Sequence, residues 1–218
     1  MKRDAVIEKI TQEKVIAIVR GVYDQDCLNL AKALYEGGVK LMEVTFDQKS
    51  ALERQRTADT IRLLTQQLGD IMAFGAGTVT TVEMVRQAKD AGAQFIISPD
   101  TNREVIAETV ALDMVSIPGA MTPTEMMQAH WAGADFIKVF PANQMGPAYF
   151  KAVAAPLSHI RMLAVGGVDE HTVGGYLKAG AVGFGVAGCL FKPQQVKDGR
   201  WEDITQATAR LMEALKQA

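Results

Sequence analysis

Lys138 and Glu43 are the residues whose type and placement could carry covalent chemistry. Lys138 lies in Ala134-Asp135-Phe136-Ile137-Lys138-Val139-Phe140-Pro141, an apolar run rich in β-branched and aromatic residues and stopped by a proline. Such a run reads as a buried strand. Side chains alternate along a strand, so Phe136, Lys138 and Phe140 share one face, while Ile137 and Val139 take the other. Burying an ammonium is costly, and a lowered pKa is the usual response. Bringing a lysine from ~10.4 to roughly 7 costs about 4–5 kcal/mol. The neutral amine that results can attack a carbonyl and form a Schiff base. The competing reading of a lone lysine is that it snorkels past the strand end into water. For Glu43 the competing reading is a solvated acid at a strand end.

The elements around these residues repeat. Short apolar strands are predicted over 15–19, 41–44, 71–74, 95–97, 114–117, 136–139, 162–165 and 182–186. Helical patterns fall between them, over 26–36, 52–68, 81–91, 104–111, 124–132, 148–157 and 172–179. Strands alternating with helices imply a parallel sheet. Eight units at about 27 residues each suit a compact (β/α)8 TIM barrel of the α/β class, a single domain over 1–218. An N-terminal helix and an extra C-terminal helix over 202–217, packed outside, complete the expectation. An open doubly wound sheet is the alternative.

Four joints support the barrel. Gly38-Val39-Lys40, Gly92-Ala93-Gln94, Gly133-Ala134-Asp135 and Gly180-Ala181-Val182 each follow a helical stretch. Glycine is favoured there because it takes a left-handed conformation easily. The fifth residue after each glycine is Glu43, Ile97, Lys138 and Gly185. Equivalent joints put Glu43 and Lys138 at the same place in two strands, near the C-terminal face where barrels hold their active sites.

Other strand ends add candidates. Arg20-Gly21 closes the first strand, and arginine there could hold a carboxylate or phosphate through two parallel hydrogen bonds. Asp47 is either a second acid near the mouth or a loop residue. Gly75-Ala76-Gly77-Thr78 would admit a ligand close to the backbone, or would open a helix with Thr78 or Thr80 as cap. Ser98-Pro99 and Pro118-Gly119 turn the chain and shape the pocket floor. Val165-Gly166-Gly167-Val168 and Gly183-Phe184-Gly185-Val186-Ala187-Gly188 end the last two strands, where barrels often bind phosphate through backbone amides. The second also matches G-x-G-x-x-G, but no further βα unit remains to complete a dinucleotide fold. Close packing of glycines at a barrel corner is the other reading.

Composition narrows the function classes. The 218 residues are 48% hydrophobic and 22% charged, as in ordinary globular proteins, with a net charge of −2 and no basic block that would suit nucleic acid. Cys27 and Cys189 form no spaced metal motif, and His130, His159 and His171 are scattered, so no metal site is expected. The N-terminus lacks a signal-peptide core, and no apolar run approaches membrane-spanning length. A cytoplasmic location is the default expectation.

Taken together, Ile18-Val19-Arg20-Gly21, Met42-Glu43-Val44-Thr45, Gly75-Ala76-Gly77-Thr78-Val79, Ile97-Ser98-Pro99, Ile117-Pro118-Gly119, Phe136-Ile137-Lys138-Val139-Phe140-Pro141 and Val165-Gly166-Gly167-Val168 resemble the class I aldolases of the 2-keto-3-deoxy-6-phosphogluconate and 4-hydroxy-2-oxoglutarate aldolase family. The resemblance covers nearly the whole chain. It implies a (β/α)8 barrel, usually a homotrimer, that reversibly cleaves a 2-keto-3-deoxy acid to pyruvate and an aldehyde such as glyceraldehyde 3-phosphate, with no metal or organic cofactor. It implies that Lys138 is the Schiff-base lysine and Glu43 the general acid/base. Arg20 and Thr78 match contacts to the keto-acid. Gly166 and Gly167 match backbone contacts to a distal phosphate. Gly188 stands where many members have a phosphate-binding serine, so only a main-chain contact is left. Asp47 stands where phosphogluconate-type members often have a carboxylate-binding arginine. Val165 stands where they commonly have threonine; valine is closer to the phosphogalactonate aldolases, as is Met145-Gly146-Pro147-Ala148-Tyr149-Phe150-Lys151. Two other functions fit the same residues: a phosphate-binding isomerase or epimerase with Glu43 as base, and a non-catalytic keto-acid or sugar-phosphate binding protein.

Overall fold

Strands and helices alternate along almost the whole computed structural model, which describes residues 2–218. In chain order they are α1 (Arg3–Glu13), β1 (Val15–Val19), α2 (Asp24–Glu36), β2 (Leu41–Thr45), α3 (Ala51–Leu68), β3 (Ala73–Gly77), α4 (Val82–Asp90), β4 (Phe95–Ile97), α5 (Arg103–Ala111) and β5 (Val115–Ile117). There follow β6 (Gly119–Ala120), α6 (Pro123–Trp131), β7 (Ile137–Val139), α7 (Ala142–Ala154), β8 (Met162–Val165), α8 (Val173–Lys178), β9 (Gly183–Val186), α9 (Pro193–Lys197) and α10 (Trp201–Lys216). All strand pairs are parallel, in the order β5-β4-β3-β2-β1-β9-β8-β7-β6. The two ends of that order, β5 and β6, are one stretch of chain interrupted at Pro118, so the sheet closes on itself as an α/β barrel. Pro118 has no N–H to give the ladder, which is why nine strands are found rather than the eight expected. Its carbonyl still accepts the Lys138 N–H at 2.9 Å, and Ser116 O accepts from Asp135 N and Phe136 N.

The glycine joints behave as the sequence predicts. Gly38, Gly92, Gly133 and Gly180 all have φ between 92° and 104°. The third strand departs from expectation: it runs over 73–77, not 71–74. Ile71 and Met72 donate their N–H groups back to Leu68 O and finish a turn after α3, so the ladder begins at Ala73, which donates to Lys40 O. The strand then continues through glycines of poor β propensity because their bareness is required. A Cβ on Gly75 would lie 2.2 Å from the Phe95 ring, which fills the lumen from β4.

Two cores result. The larger lies between sheet and helices. The smaller fills the barrel with Ile16, Leu41, Phe95, Ile97, Val115, Ile117, Phe136, Leu163 and Val165, and α1 adds Val6 and Ile10 from below. Arg3 at the start of α1 pairs with Asp135 at 2.8 Å, and Asp135 also accepts the Ser116 N–H, so the plug is tied to the seam of the barrel. The N-terminal helix therefore caps the bottom of the barrel, while α10 packs outside against α2 as expected. Thr205 Oγ1 donates to Ala33 O at 3.0 Å, and Gly37 approaches so closely that a Cβ there would meet Thr208 at 2.4 Å. The seventh helix starts earlier than expected, at Ala142, and is broken at Gly146 (φ 70°, ψ 170°), so that the piece from Pro147 onward is the one expected.

Candidate active site

Lys138 is the middle residue of β7 and faces the lumen, with Phe136 below it. Only 8% of its surface is exposed, and its Nζ stands 4.9 Å from the centre of the Phe140 ring at the mouth. The amine does not snorkel into solvent. Burial lowers its pKa, Glu43 opposes that effect and Arg20 adds to it. Arg161 stands 4.5 Å from the centre of the Phe136 ring.

Glu43 lies on β2, paired in register with Ile18 and Gly75. It is 1% exposed, and its Oε2 is buried without a hydrogen-bond partner. Burial pushes its pKa from 4.5 up to about 7, against the pull of Lys138 and Arg20. No ion pair joins Glu43 to Lys138 among the described residues. The carboxyl is thus a group able to hold or release a proton near neutrality, facing open space rather than a fixed partner. Gly77 makes that space, since a Cβ there would fall 2.3 Å from Glu43 Oε2.

Both side chains line one cavity of about 800 Å³ at the C-terminal ends of the strands. The other expected residues, Arg20, Thr78, Val165, Gly166, Gly167 and Gly188, line it too. Gly166 and Gly167 have φ of 97° and 71°, and a Cβ on Gly167 would strike Asn143 at 2.5 Å. Among the described residues the N–H groups of Gly167 and Gly188 have no hydrogen-bond acceptor, leaving both for a ligand. Gly188 sits in a turn whose next helix is the five-residue α9, so the G-x-G-x-x-G match does not open a long helix. Thr78 (φ 56°) is not a helix cap, and neither is Thr80; the cap of α4 is Thr81, which accepts from Met84 N at 3.2 Å. Asp47 lies outside the cavity, in a smaller pocket with Arg20 and Thr78. It accepts the N–H groups of Lys49 and Ser50, which hold its pKa down, and is a loop residue.

Sequence reasoning missed Asp169 and Cys189, which also line the cavity, whereas Pro99, expected at the pocket floor, does line it. Asp169 directly follows Val165-Gly166-Gly167-Val168 and Cys189 directly follows Gly188, so adjacency to the two strand-end motifs was the available signal. Among the described residues no three His, Cys, Asp or Glu side chains are grouped as a metal ion would need, and no helix is long and apolar enough to cross a membrane.

Comparison with known proteins decides the family. The model of the KDPG and KHG aldolase family matches residues 6–207. The chain belongs to that family. Among relatives, it is 32% identical to the 2-dehydro-3-deoxy-phosphogluconate aldolase of Treponema pallidum over 97% of this chain and 96% of the other. It is 32% identical to the 2-dehydro-3-deoxy-6-phosphogalactonate aldolase of Escherichia coli over 95% of this chain and 97% of the other. A solved KDPGal structure in the native state superimposes with a TM-score of 0.84 at 31% identity, covering 93% of this chain and 94% of that one. The KDPG aldolase of Legionella pneumophila, solved with pyruvate captured at low pH as a covalent carbinolamine intermediate, superimposes with a TM-score of 0.81 at 26% identity, covering 92% and 94%. The family match thus spans nearly the full length of the barrel.

Proposed function

We propose that the protein is a class I aldolase that reversibly cleaves a 2-keto-3-deoxy (phospho)sugar acid to pyruvate and an aldehyde. The observation that carries this reading is the convergence of a buried, charge-disfavoured lysine and a partnerless glutamate with pKa about 7 in one cavity. The covalent carbinolamine captured in the Legionella relative supports it. The neutral Nζ of Lys138 attacks the substrate C2 ketone, and the carbinolamine loses water to give a protonated imine. Glu43 supplies the proton for that water to leave. As carboxylate it then takes the proton of the C4 hydroxyl. The C3–C4 bond breaks, its electron pair moves into the imine to form an enamine, and C4 departs as the aldehyde. Glu43 returns its proton to C3, and hydrolysis of the resulting imine frees pyruvate and the lysine. An acid with pKa near the working pH suits both directions of transfer.

Arg20 and Thr78 serve the keto-acid end, with the guanidinium drawing the substrate carboxylate. Val165 walls the carbon chain, and Gly166, Gly167 and Gly188 offer main-chain contacts to its far end. No protein-held metal or organic cofactor enters this scheme. We propose a homotrimer in the cytoplasm. Among the described residues, three of the five large apolar side chains left exposed, Met121, Trp131 and Phe140, fall between β6 and the residue just after β7 and support an interface between copies. Sedimentation at three times the chain mass is the expected result; a monomer would refute the assembly.

Borohydride with pyruvate should leave a stable adduct on Lys138, located by peptide mass, and Lys138→Ala should abolish both adduct and turnover. Normal turnover by the variant, or no adduct on the native protein, would overturn the Schiff-base assignment.

A further inference from the structure

We propose that Tyr176 is a positioning residue for the far end of the substrate, acting through two peptide units on the Gly167 N–H. The inference rests on the aldolase reading above and concerns a side chain that does not line the cavity. Tyr176 lies on α8 and is 3% exposed. Its ring packs edge-on against Phe150 of α7, with centres 5.1 Å apart. Core packing accounts for the ring but not for the hydroxyl, which phenylalanine would omit. A buried hydroxyl needs a partner, and that of Tyr176 donates to Ala142 O at 2.9 Å.

The Ala142 carbonyl and the Asn143 N–H are the two ends of one peptide unit. The Asn143 N–H donates to Gly166 O at 3.1 Å. The Gly166 carbonyl and the Gly167 N–H are in turn the two ends of another unit. Both units are trans. A trans peptide is planar, and its C=O and N–H point in opposite directions. With its oxygen drawn towards the start of α7, the second unit must turn the Gly167 N–H the other way. Gly166 and Gly167 line the cavity, whereas Ala142 and Asn143 do not, so the other way is the ligand's side. The row runs from the Tyr176 hydroxyl to Ala142 O, from Asn143 N–H to Gly166 O, and from Gly167 N–H to an oxygen of the substrate.

The glycine pair needs such a hold. Two glycines in succession leave the unit between them free to rotate, since neither carries a side chain to limit it. The first turn of α7 supplies the missing constraint. It lies so close that a Cβ on Gly167 would fall 2.5 Å from Asn143 Cβ, and one on Gly166 would fall 3.3 Å from the Phe140 ring. The Tyr176 hydroxyl holds that turn from behind, across the α7–α8 contact that Pro147 and Gly175 also make. Hydrogen bonds in a row polarise one another, so losing the first weakens the donor at the last as well as loosening its aim.

Tyr176→Phe keeps the ring and removes only the hydroxyl. Pyruvate, which has no far end, is the internal control. KM is measured for 2-keto-3-deoxy-6-phosphogluconate and 2-keto-3-deoxy-6-phosphogalactonate, and half-saturation by pyruvate from borohydride trapping on Lys138. The expected result is a KM about three- to ten-fold higher for whichever sugar acid the native protein cleaves faster, with kcat within about two-fold and pyruvate half-saturation unchanged. A hydroxyl that served only the fold would move pyruvate trapping by the same factor, or move nothing, and either result overturns the inference. Amide hydrogen exchange in the native protein tests the row without a variant, should Tyr176→Phe fold poorly. The Asn143 N–H should exchange at least about ten-fold more slowly than the Gly167 N–H; equal rates overturn the inference. An adduct on Lys138 without the KM change rejects the role of Tyr176 alone, whereas no adduct rejects the aldolase reading and this inference with it.

Discussion

Replacing Glu43 with glutamine should stabilise the fold at alkaline pH and leave it unchanged at acid pH, while removing activity. The carboxyl is wholly buried and its pKa rises from 4.5 to about 7 on folding. At ~1.4 kcal/mol for each factor of ten in proton affinity, that climb is worth roughly 3 kcal/mol. The sign follows from which state binds the proton more tightly. The folded state does, so its advantage is complete below pH 4.5, where both states are protonated. It is lost as pH rises towards about 7, and above that the native protein carries the full cost of an ionised buried acid. Glutamine has the same shape and no charge at any pH. Thermal unfolding of Glu43→Gln and native protein at matched concentration should therefore coincide near pH 4.5 and separate as pH rises, the variant ending about 6–12 °C higher. The pull of Lys138 and Arg20 on the carboxylate is already contained in the value of about 7, so it adds no further correction. A pH-independent difference, or a variant that grows less stable with rising pH, would show that Glu43 is held as a carboxylate in the fold. The proton relay would then lose its acid form near neutrality.

Gly77→Ala places a methyl 2.3 Å from Glu43 Oε2 and must displace that carboxyl. Its kcat should fall by about 10²-fold, because a small misplacement of a reacting group is costly, while borohydride still traps pyruvate on Lys138; an unchanged kcat would show that the carboxyl needs no fixed place. Cys189, with its thiol pushed up to about 11, should react with iodoacetamide at neutral pH at least about ten-fold more slowly than a free thiol. Cys27, fully buried and raised further, should react only on unfolding. Alkylation of native Cys189 at the rate of free cysteine, followed by mass spectrometry, would contradict the burial and the acidic neighbours that raise it.

Much of the barrel could be read from the chain because its strands are apolar and its joints repeat. The glycine offset brought Glu43 and Lys138 to one face before any coordinates. The same logic failed at β3, where the lumen needs absent side chains and the strand is built from Gly75 and Gly77 in place of β-branched residues. It failed again at Pro118, where a missing N–H divides a strand that the apolar pattern shows as continuous. The short helical piece before Gly146 went unread, but Gly146 and Pro147 do mark a boundary, and the expected helix lies beyond it. Within the site, the motifs led to residues at strand ends, but Asp169 and Cys189 looked like ordinary loop residues. Their place in the cavity depends on how the loops after β8 and β9 fold over each other, a long-range arrangement with no local signature.

The plug that Val6 and Ile10 drive into the base of the barrel has a kinetic consequence. A vessel sealed at the bottom has a single doorway, so whatever lies deeper must wait for whatever lies nearer the rim. In the proposed cleavage the aldehyde forms on the outer side and the pyruvate fragment stays tethered beneath it. The aldehyde therefore leaves before pyruvate, and in the synthetic direction pyruvate enters ahead of it.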